Sequence, residues 1–417
     1  MDFSPRISSA LFLLIFSINF SFAQQDYYWV GGSGNWSDVS HWATTSGGTT
    51  NHAVAPTELD NVYFDGSSFS GSGQSVTIDV AAVCHDFDWT GATNFPAINA
   101  SDQLDIYGSA VMNTDVDYNL DEVYFKSSDM GETITTSGVS FGTSCTIRFE
   151  GTGSWSLVGK LDTYRIYFVK GTFSTANYDI TTSNTIYVSS TTGNLMDLSL
   201  GSSTINCGTF WNSSASDLVF DAGTSEIITG QLRGDLNGNG PFTYYDITFE
   251  DGGALYNVNN LNVVTLLAGT LYVEAGSVQS LNDFVASGDK YSDLEVITFS
   301  EGTEATFSAS SGTIDIDFVT LQDIHATGGA TFNATNSIDN GNNDGWTITA
   351  PAGADYYWVG DGGDWDDPTH WATSSGGSTF HTDYPSKYDN VYFDVNSFTE
   401  ASQTVNVNIP EANFKDM

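Results

Sequence analysis

The chain has 417 residues, of which 51 are acidic and 10 are basic, so its formal net charge is −41. This charge excludes a nucleic-acid partner, because phosphate binding depends on clustered Lys and Arg side chains. Apolar residues make up 40% of the chain, which excludes an intrinsically disordered protein.

The first 23 residues are typical of a secretory signal peptide. Arg6 precedes an apolar run over residues 10–16, and a small residue, Ala23, ends the segment. A charged start, an apolar run too short to cross a bilayer and a small residue at the cleavage point are the parts of such a signal. No later apolar segment is long enough to span a membrane. The sequence therefore predicts a secreted, extracellular or outer-surface protein.

The mature chain contains a long internal repeat. Residues 26–79 align with residues 355–408 at a fixed offset, with 29 identities in 54 positions and no gap. Both copies open on a Trp-rich segment and close on the residues D-N-V-Y-F-D. We therefore predict a Trp-rich capping module over residues 24–96 and a second, truncated copy over residues 355–417.

The second copy ends where the first one continues. In the first copy the chain runs on past Asp88, whereas the second copy stops at Met417. We expect the chain to be a fragment of a larger repetitive protein. A capping module without the coils that it covers has an exposed apolar face, so we expect residues 355–417 either to be only partly ordered by themselves or to lean on the preceding coils.

Between the two copies, short strands recur. Nine apolar-X-apolar triplets, each typical of a strand with one buried face, follow one another at a mean step of about 24 residues. They begin at Val123, Ile147, Ile166, Ile186, Leu218, Ile247, Leu271, Ile297 and Ile316. The pattern predicts an all-β fold in which residues 97–350 form a right-handed parallel β-helix, with all nine triplets in one sheet. Stacked β-sandwiches are the alternative.

The Trp residues of the first copy have two interpretations. Trp29, Trp36 and Trp42 could form a platform on which sugar rings stack, which would make them a glycan-binding site. They could instead close the first coil of the β-helix as buried aromatic lids. Burial is favoured, because large aromatic side chains are more often buried than exposed.

Two patterns suggest metal ions. Asp235, Asn237, Asn239 and Asp246 occupy positions 1, 3, 5 and 12 of a loop with Gly at position 6, which suits Ca²⁺. The alternative for this segment is a simple turn between coils. His41 and His52, with Asp38 and Asp60 nearby in sequence, suggest a His/Asp site, but hydrogen-bonded packing is favoured because no tight ligand spacing is present.

Other reactive side chains give little indication of catalysis. The three cysteines, at positions 84, 145 and 207, are predicted to be buried small hydrophobes, with one long-range bridge as the alternative. No catalytic motif is recognisable.

The basic cluster, defined as Lys126, Arg148, Lys160, Arg165 and Lys170, is the one place where the sequence could hold a polysaccharide-lyase site. Ordinary exposed charge is the favoured interpretation.

The Trp-rich module also carries a resemblance. Residues 28–42, with Pro56 and residues 60–65, resemble the opening module of large exported proteins of Bacteroidota, among them autotransporter passenger domains and haemagglutinin-like adhesins. The resemblance implies an exported, surface-associated protein with a right-handed β-helix behind the module. It implies no common enzymatic activity.

Two classes of function follow. The first is a non-catalytic, adhesin-like binding segment that contacts extracellular glycans or surface proteins. The second is a carbohydrate-active β-helix enzyme or glycan-binding module. An enzyme requires polar side chains that converge in one concave pocket, whereas a binding scaffold does not.

Overall fold

The computed structural model describes residues 23–189, 192–212, 217–234 and 241–417. The protein is all-β, and its parallel coils stack into a β-solenoid of about 12 turns. The prediction of a parallel β-helix is therefore confirmed, and the alternative of stacked sandwiches is wrong. Within the described ranges, no helix combines the length and the apolar character that a membrane crossing requires.

A ten-stranded sheet begins in the first Trp-rich module and continues through the coils behind it. Its strands are Asp26–Trp29, Trp42–Ala43, Asn61–Tyr63, Phe87–Asp88, Ala110–Val111, Glu132–Thr135, Ser154–Val158, Gly171–Ser174, Met196–Ser199 and Leu218–Asp221. Trp42–Ala43 pairs antiparallel with Asp26–Trp29 at the outer edge. This short strand covers hydrogen-bonding groups that an open edge would expose.

A 21-stranded sheet forms most of the remaining solenoid wall. Its strands are Ala82–Cys84, Leu104–Ile106, Glu122–Phe125, Thr146–Phe149, Leu161–Thr163, Arg165–Phe168, Ile180–Thr182, Thr185–Val188, Thr204–Asn212, Glu226–Arg233, Phe242–Thr243, Asp246–Phe249, Gly253–Tyr256, Asn259–Leu266, Thr270–Val273, Val278–Ala286, Leu294–Thr298, Ala305–Ala309, Val319–Gln322, Ile324–Gly328 and Ile338–Asp339. Some strands are long enough to join two faces of the solenoid. Thr204–Asn212, for example, pairs with two successive strands of the coil before it.

Smaller sheets complete the solenoid and the second Trp-rich copy. The solenoid adds the four strands Gly34–Asn35, Ser75–Ile78, Ala97–Ala100 and Asp117–Asn119, and the three strands Thr313–Asp317, Thr331–Thr335 and Trp346–Ile348. The second copy contains Asp355–Trp358, Trp371–Ala372 and Asn390–Tyr392, and the pair Gly363–Asp364 with Val405–Asn406. Each copy also has one 3-10 turn, Val39–His41 and Pro368–His370.

Coil stacking places aliphatic side chains in register inside the solenoid. Val123 pairs with Ile147, Ile147 with Ile166, and Ile166 with Ile186, in parallel strands. All four side chains are buried. Alternate residues of a strand point to opposite faces, so each of these four triplets contributes its two outer residues to the core and its central residue to the outer surface.

The prediction that all nine triplets share one sheet is wrong at two positions. Leu218 pairs with Met196 in the ten-stranded sheet, and Ile316 pairs with Ala334 in a three-stranded sheet. Each coil contains several strands, so a triplet can belong to any face. The spacing of the triplets along the chain does not say which face that is.

The two Trp-rich copies have separate cores. One continuous core runs from Tyr27 to Ala334, with no break at residue 96, so the first copy is packed as part of the solenoid. The second copy has its own core, which is built around Trp358 and Trp371.

The second copy leans on the solenoid, as expected. Lys290 Nζ lies 2.7 Å from Asp383 Oδ2. The Tyr291 ring stacks on Tyr384 with centroids 4.4 Å apart, and the Tyr291 hydroxyl donates to the Tyr384 carbonyl oxygen at 2.8 Å. These polar and aromatic contacts hold the two cores side by side.

Candidate functional site

The Trp residues of the first copy are buried. Trp29, Trp36 and Trp42 are 0%, 1% and 0% exposed. Trp42 packs edge-on against both other indoles, with centroid distances of 4.9 Å in each case. Its Nε1 donates to the carbonyl oxygen of Trp36 at 2.8 Å. The prediction of a sugar-stacking platform on these rings is wrong, because no indole face is open to a ligand.

The histidines of the first copy pack against aromatic rings. His41 stacks on Trp29 at 4.6 Å and its Nδ1 contacts the Val30 carbonyl oxygen at 2.6 Å. His52 stacks on Tyr27 at 3.6 Å, and its Nε2 contacts the Asp26 carbonyl oxygen at 3.1 Å. The two imidazoles therefore have separate packing roles, as the favoured interpretation expected.

Most of the predicted calcium loop lies outside the described residues. Asp235, Asn237 and Asn239 belong to that part of the chain. Asp246 begins the strand Asp246–Phe249, and its Oδ1 accepts a hydrogen bond from Asn262 Nδ2 at 2.8 Å. Calcium binding at this loop stays a prediction.

The three cysteines are free and buried. Burial raises the pKa of Cys145 and that of Cys207 to about 12, and it raises the pKa of Cys84 strongly as well. At neutral pH these thiols are protonated, so they are poor nucleophiles and poor metal ligands. They act as small core residues, as predicted.

A line of aromatic and arginine side chains runs along the outer face of the 21-stranded sheet. Its members occupy directly paired positions on seven successive strands of that face. We call this line the aromatic–arginine ladder, and its members are Tyr124, Arg148, Tyr167, Tyr187, Trp211, Arg233 and Tyr256. Every member is partly exposed, so the ladder is a solvent-facing feature.

Neighbouring members of the ladder are in contact. The Arg148 guanidinium lies 4.0 Å from the centroid of Tyr167, and the rings of Tyr167 and Tyr187 stack at 4.6 Å with an angle of 8°. Tyr187 and Trp211 follow at 5.2 Å. Cation–π and stacking contacts of this kind hold each side chain in one orientation.

The far end of the ladder repeats the cation–π arrangement. The Arg233 guanidinium lies 5.1 Å from the Trp211 ring and 4.1 Å from the Tyr256 ring. Its Nε donates to Gln231 Oε1 at 3.1 Å. The Arg233 guanidinium is therefore held between two aromatic rings and by one hydrogen bond.

Four basic side chains lie on the ladder face of this strongly acidic protein, and one of them, Arg148, has its Nη1 3.9 Å from Glu150 Oε1. Lys126, Arg148, Arg165 and Arg233 lie on this face of the sheet, out of 10 basic residues in the chain. Three members of the predicted basic cluster are thus brought together on successive coils. Its other two members, Lys160 and Lys170, lie at turns between strands.

At one end of the ladder face, acidic side chains pair with neighbouring Lys and Tyr side chains. Lys126 Nζ lies 2.7 Å from Asp105 Oδ2. The Tyr124 hydroxyl donates to Glu122 Oε2 at 2.8 Å. Burial and this hydrogen bond raise the pKa of Tyr124 to about 12, so the hydroxyl keeps its proton at neutral pH.

The ladder was missed in the sequence although its signal was present there. The triplets beginning at Val123, Ile147, Ile166 and Ile186 have Tyr, Arg, Tyr and Tyr at their centres. Since the outer residues of each triplet face the core, the central residues must align on the surface once the coils stack. The four triplets therefore carry two patterns, apolar residues for the core and Tyr or Arg for the surface.

The ladder offers ring edges, hydroxyl groups and guanidinium groups to a ligand. Its ring faces are largely covered by neighbouring members, so a ligand meets edges and polar tips. Guanidinium groups match carboxylate and sulfate or phosphate oxygens in geometry. In comparisons with family models, curated proteins and solved structures, nothing matches the chain.

Proposed function

We propose that this protein is a non-catalytic, exported β-solenoid that binds acidic glycan chains along the aromatic–arginine ladder. The observation that carries the proposal is the straight alignment of seven partly exposed ring and guanidinium side chains in one register. With strands about 4.8 Å apart, the ladder extends over about 29 Å. An extended polymer can contact a line of this length at several points at once.

The contacts within the ladder support tight binding. Arg148 and Arg233 are held between aromatic rings, so their guanidinium groups lose little freedom when a ligand arrives. Carboxylated or sulfated sugars carry the negative charge that these groups recognise, and their hydroxyls can bond to the tyrosine hydroxyls. The acidic remainder of the surface repels such chains and so directs them to the ladder.

An exported, adhesin-like role is consistent with this binding surface. The signal-like residues 1–23 and the resemblance of the Trp-rich module to surface proteins support a secreted or outer-surface location. The net charge of −41 keeps neighbouring copies from associating. In this proposal the solenoid holds the ladder at a distance from the cell, as a segment of a larger repetitive protein.

A glycan array with matched variants tests the proposal. We expect the mature protein to bind carboxylated or sulfated glycans. The double variant Arg148→Gln with Arg233→Gln should bind them at least about tenfold less tightly, since a hydrogen bond to a charged group contributes about 1.5–3 kcal/mol.

Lys160→Gln is the control, because it removes one exposed positive charge at a turn away from the ladder. Its binding should equal that of the wild type. Circular dichroism checks that all variants are folded. Equal binding by the double variant, or no binding of any acidic glycan by the wild type, would overturn the proposal.

A further inference from the structure

Three metal-ligating side chains meet at one corner of the solenoid, away from the ladder. A ligand atom from each of His85, Asp129 and Glu132 lies within 4.8 Å of the other two. Asp129 and Glu132 lie three residues apart, and coil stacking brings His85 to them from more than 40 residues earlier in the chain. We infer that they form a binding site for a divalent transition-metal ion of the zinc type.

The stacking places His85 and Glu132 on either side of Gly108. The strands that contain Phe87, Ala110 and Ile134 are direct neighbours in this order, so His85, Gly108 and Glu132 occupy equivalent places on three successive coils. The Gly108 amide donates to the His85 carbonyl oxygen at 2.9 Å. A glycine between the two ligands lets their side chains approach each other across the middle coil.

A side chain at position 108 would collide with the imidazole of His85 and with the carboxylate of Asp86. A Cβ atom there would lie 2.5 Å from His85 Nδ1 and 2.2 Å from Asp86 Oδ1. The Gly108 backbone does not adopt a left-handed conformation, so the absence of a side chain is a matter of space. The glycine therefore allows His85 and Asp86 to pack over the middle coil in the arrangement that the site requires.

A second carboxylate orients the imidazole. His85 Nδ1 lies 3.1 Å from Asp86 Oδ1, and the Ser109 amide donates to the same oxygen at 2.8 Å. Metal-binding histidines commonly donate their other ring N–H to a carboxylate, which fixes the tautomer. With Nδ1–H donated to Asp86, Nε2 carries the lone pair for the ion.

The glutamate is positioned in the same way. Ser109 Oγ donates to Glu132 Oε2 at 2.5 Å, which leaves Oε1 for the ion. Ser109 thus holds both Asp86 and Glu132 from the middle coil. Asp129 is exposed and supplies the third ligand atom.

The donor set selects the kind of ion. One imidazole nitrogen and two carboxylate oxygens suit Zn²⁺ and similar first-row ions, whereas Ca²⁺ and Mg²⁺ prefer oxygen alone. Three protein ligands leave one tetrahedral position for water or a ligand atom. In such a site the ligand atoms are about 3.4 Å apart, so binding draws the three side chains together and links the coil of His85 to the coil of Asp129 and Glu132.

Titration with Zn²⁺ alone tests the site. Isothermal calorimetry of the mature protein at about 0.15 M salt, where long-range attraction is screened, should show one saturable site per chain. His85→Ala and Asp129→Asn should lose this site. Asp86→Asn should bind about 10–100-fold more weakly, as expected when a residue that orients a ligand is removed.

Asp117→Asn is the matched control for charge. It removes one carboxylate from an exposed strand position of the same acidic surface and should leave the site unchanged. Ring signals of the histidines in NMR spectra give a second readout, in which only His85 should shift strongly with one equivalent of Zn²⁺. Unchanged binding in folded His85→Ala, or no saturable site in the wild type, would overturn the inference.

Discussion

At the scale of single residues, a buried carboxylate fixes the entry of each Trp-rich module. Asp60 Oδ2 accepts hydrogen bonds from the amide and hydroxyl of Thr57 at 2.9 and 2.6 Å. Its Oδ1 accepts from the Gln25 amide at 3.2 Å. Asp389 makes the equivalent contacts with Ser386 and Ala354 in the second copy. An Asp side chain at the equivalent position therefore holds the equivalent loop in each copy.

Replacing this carboxylate should destabilise the module that contains it. Asp60→Ala leaves three donors without their partner, so we expect the free energy of unfolding to fall by about 1–3 kcal/mol. Chemical denaturation measures the change. The control, Asp115→Ala in an exposed turn, should stay within about 0.5 kcal/mol of the wild type, and equal losses in both variants would contradict this role of Asp60.

Because the two copies have separate cores, the same Trp→Ala substitution can be compared in each of them. Trp42→Ala should destabilise the solenoid by about 3–5 kcal/mol, because a large buried aromatic is removed from its continuous core. Trp371→Ala makes the same change in the separate core of the second copy. Hydrogen exchange over residues 61–125 should rise in the first variant only, and a similar rise in both would show that the cores are coupled.

At the scale of elements, the aromatic–arginine ladder should also stabilise the coils that it crosses. Tyr187 contacts a ring on each side, Tyr167 and Trp211. With about 0.5–1.5 kcal/mol for each aromatic pair, Tyr187→Ser should lower the free energy of unfolding by about 1–3 kcal/mol.

Tyr178→Ser is the control for this prediction. Tyr178 is 42% exposed and lies at a turn outside the ladder, so its loss should have little effect. Denaturation curves of the two variants give the comparison. Similar losses would mean that the ring contacts of the ladder contribute nothing specific.

The sequence predicted the strands better than it predicted the face of the solenoid to which each strand belongs. Ile147, Ile166 and Ile186 stack as expected because neighbouring coils have similar lengths there, whereas Leu218 is on another face because each coil contains several strands. The site residues were harder to predict. The partnership of His85 with Glu132 depends on coil register, which no local pattern of residues reports.

At the scale of the whole molecule, the two Trp-rich copies have the same fold but differ in how far their apolar side chains are buried. Phe69 is 2% exposed in the first copy, and its counterpart Phe398 is 38% exposed. Ile78 is 0% exposed, and its counterpart Val407 is 53% exposed. In the first copy, the strand of Ile78 pairs with Ala97–Ala100 of the next coil. The difference in exposure between the two copies therefore shows how much apolar surface of one coil is covered by the next coil.

The contact between the second copy and the solenoid should depend on pH. Desolvation would raise the pKa of Asp383, but hydrogen bonds from Lys290 and Tyr356 outweigh it and hold that pKa below its ordinary value of 3.8. A lowered carboxyl pKa contributes stability that is present above the ordinary value and is lost as the pH falls through the lower, folded value.

Asp383→Asn should therefore matter more near neutral pH than in strong acid. Because the Asp383 side chain is 39% exposed, solvent screening limits the difference from the wild type to about 0.2–1 kcal/mol at pH 6. The difference should be smaller at about pH 2. Denaturation of both proteins at the two pH values measures it, and an equal difference in acid would contradict the ion-pair explanation.

The parallel pairing of coil upon coil also has a mechanical consequence. The hydrogen bonds between successive coils point along the solenoid axis, so a tensile force along that axis loads the coils in series, and the weakest coil yields first. A coil of about 20 residues, once peeled off, lengthens the chain by about 70 Å. Under tension, such a solenoid would yield stepwise and dissipate work at each step.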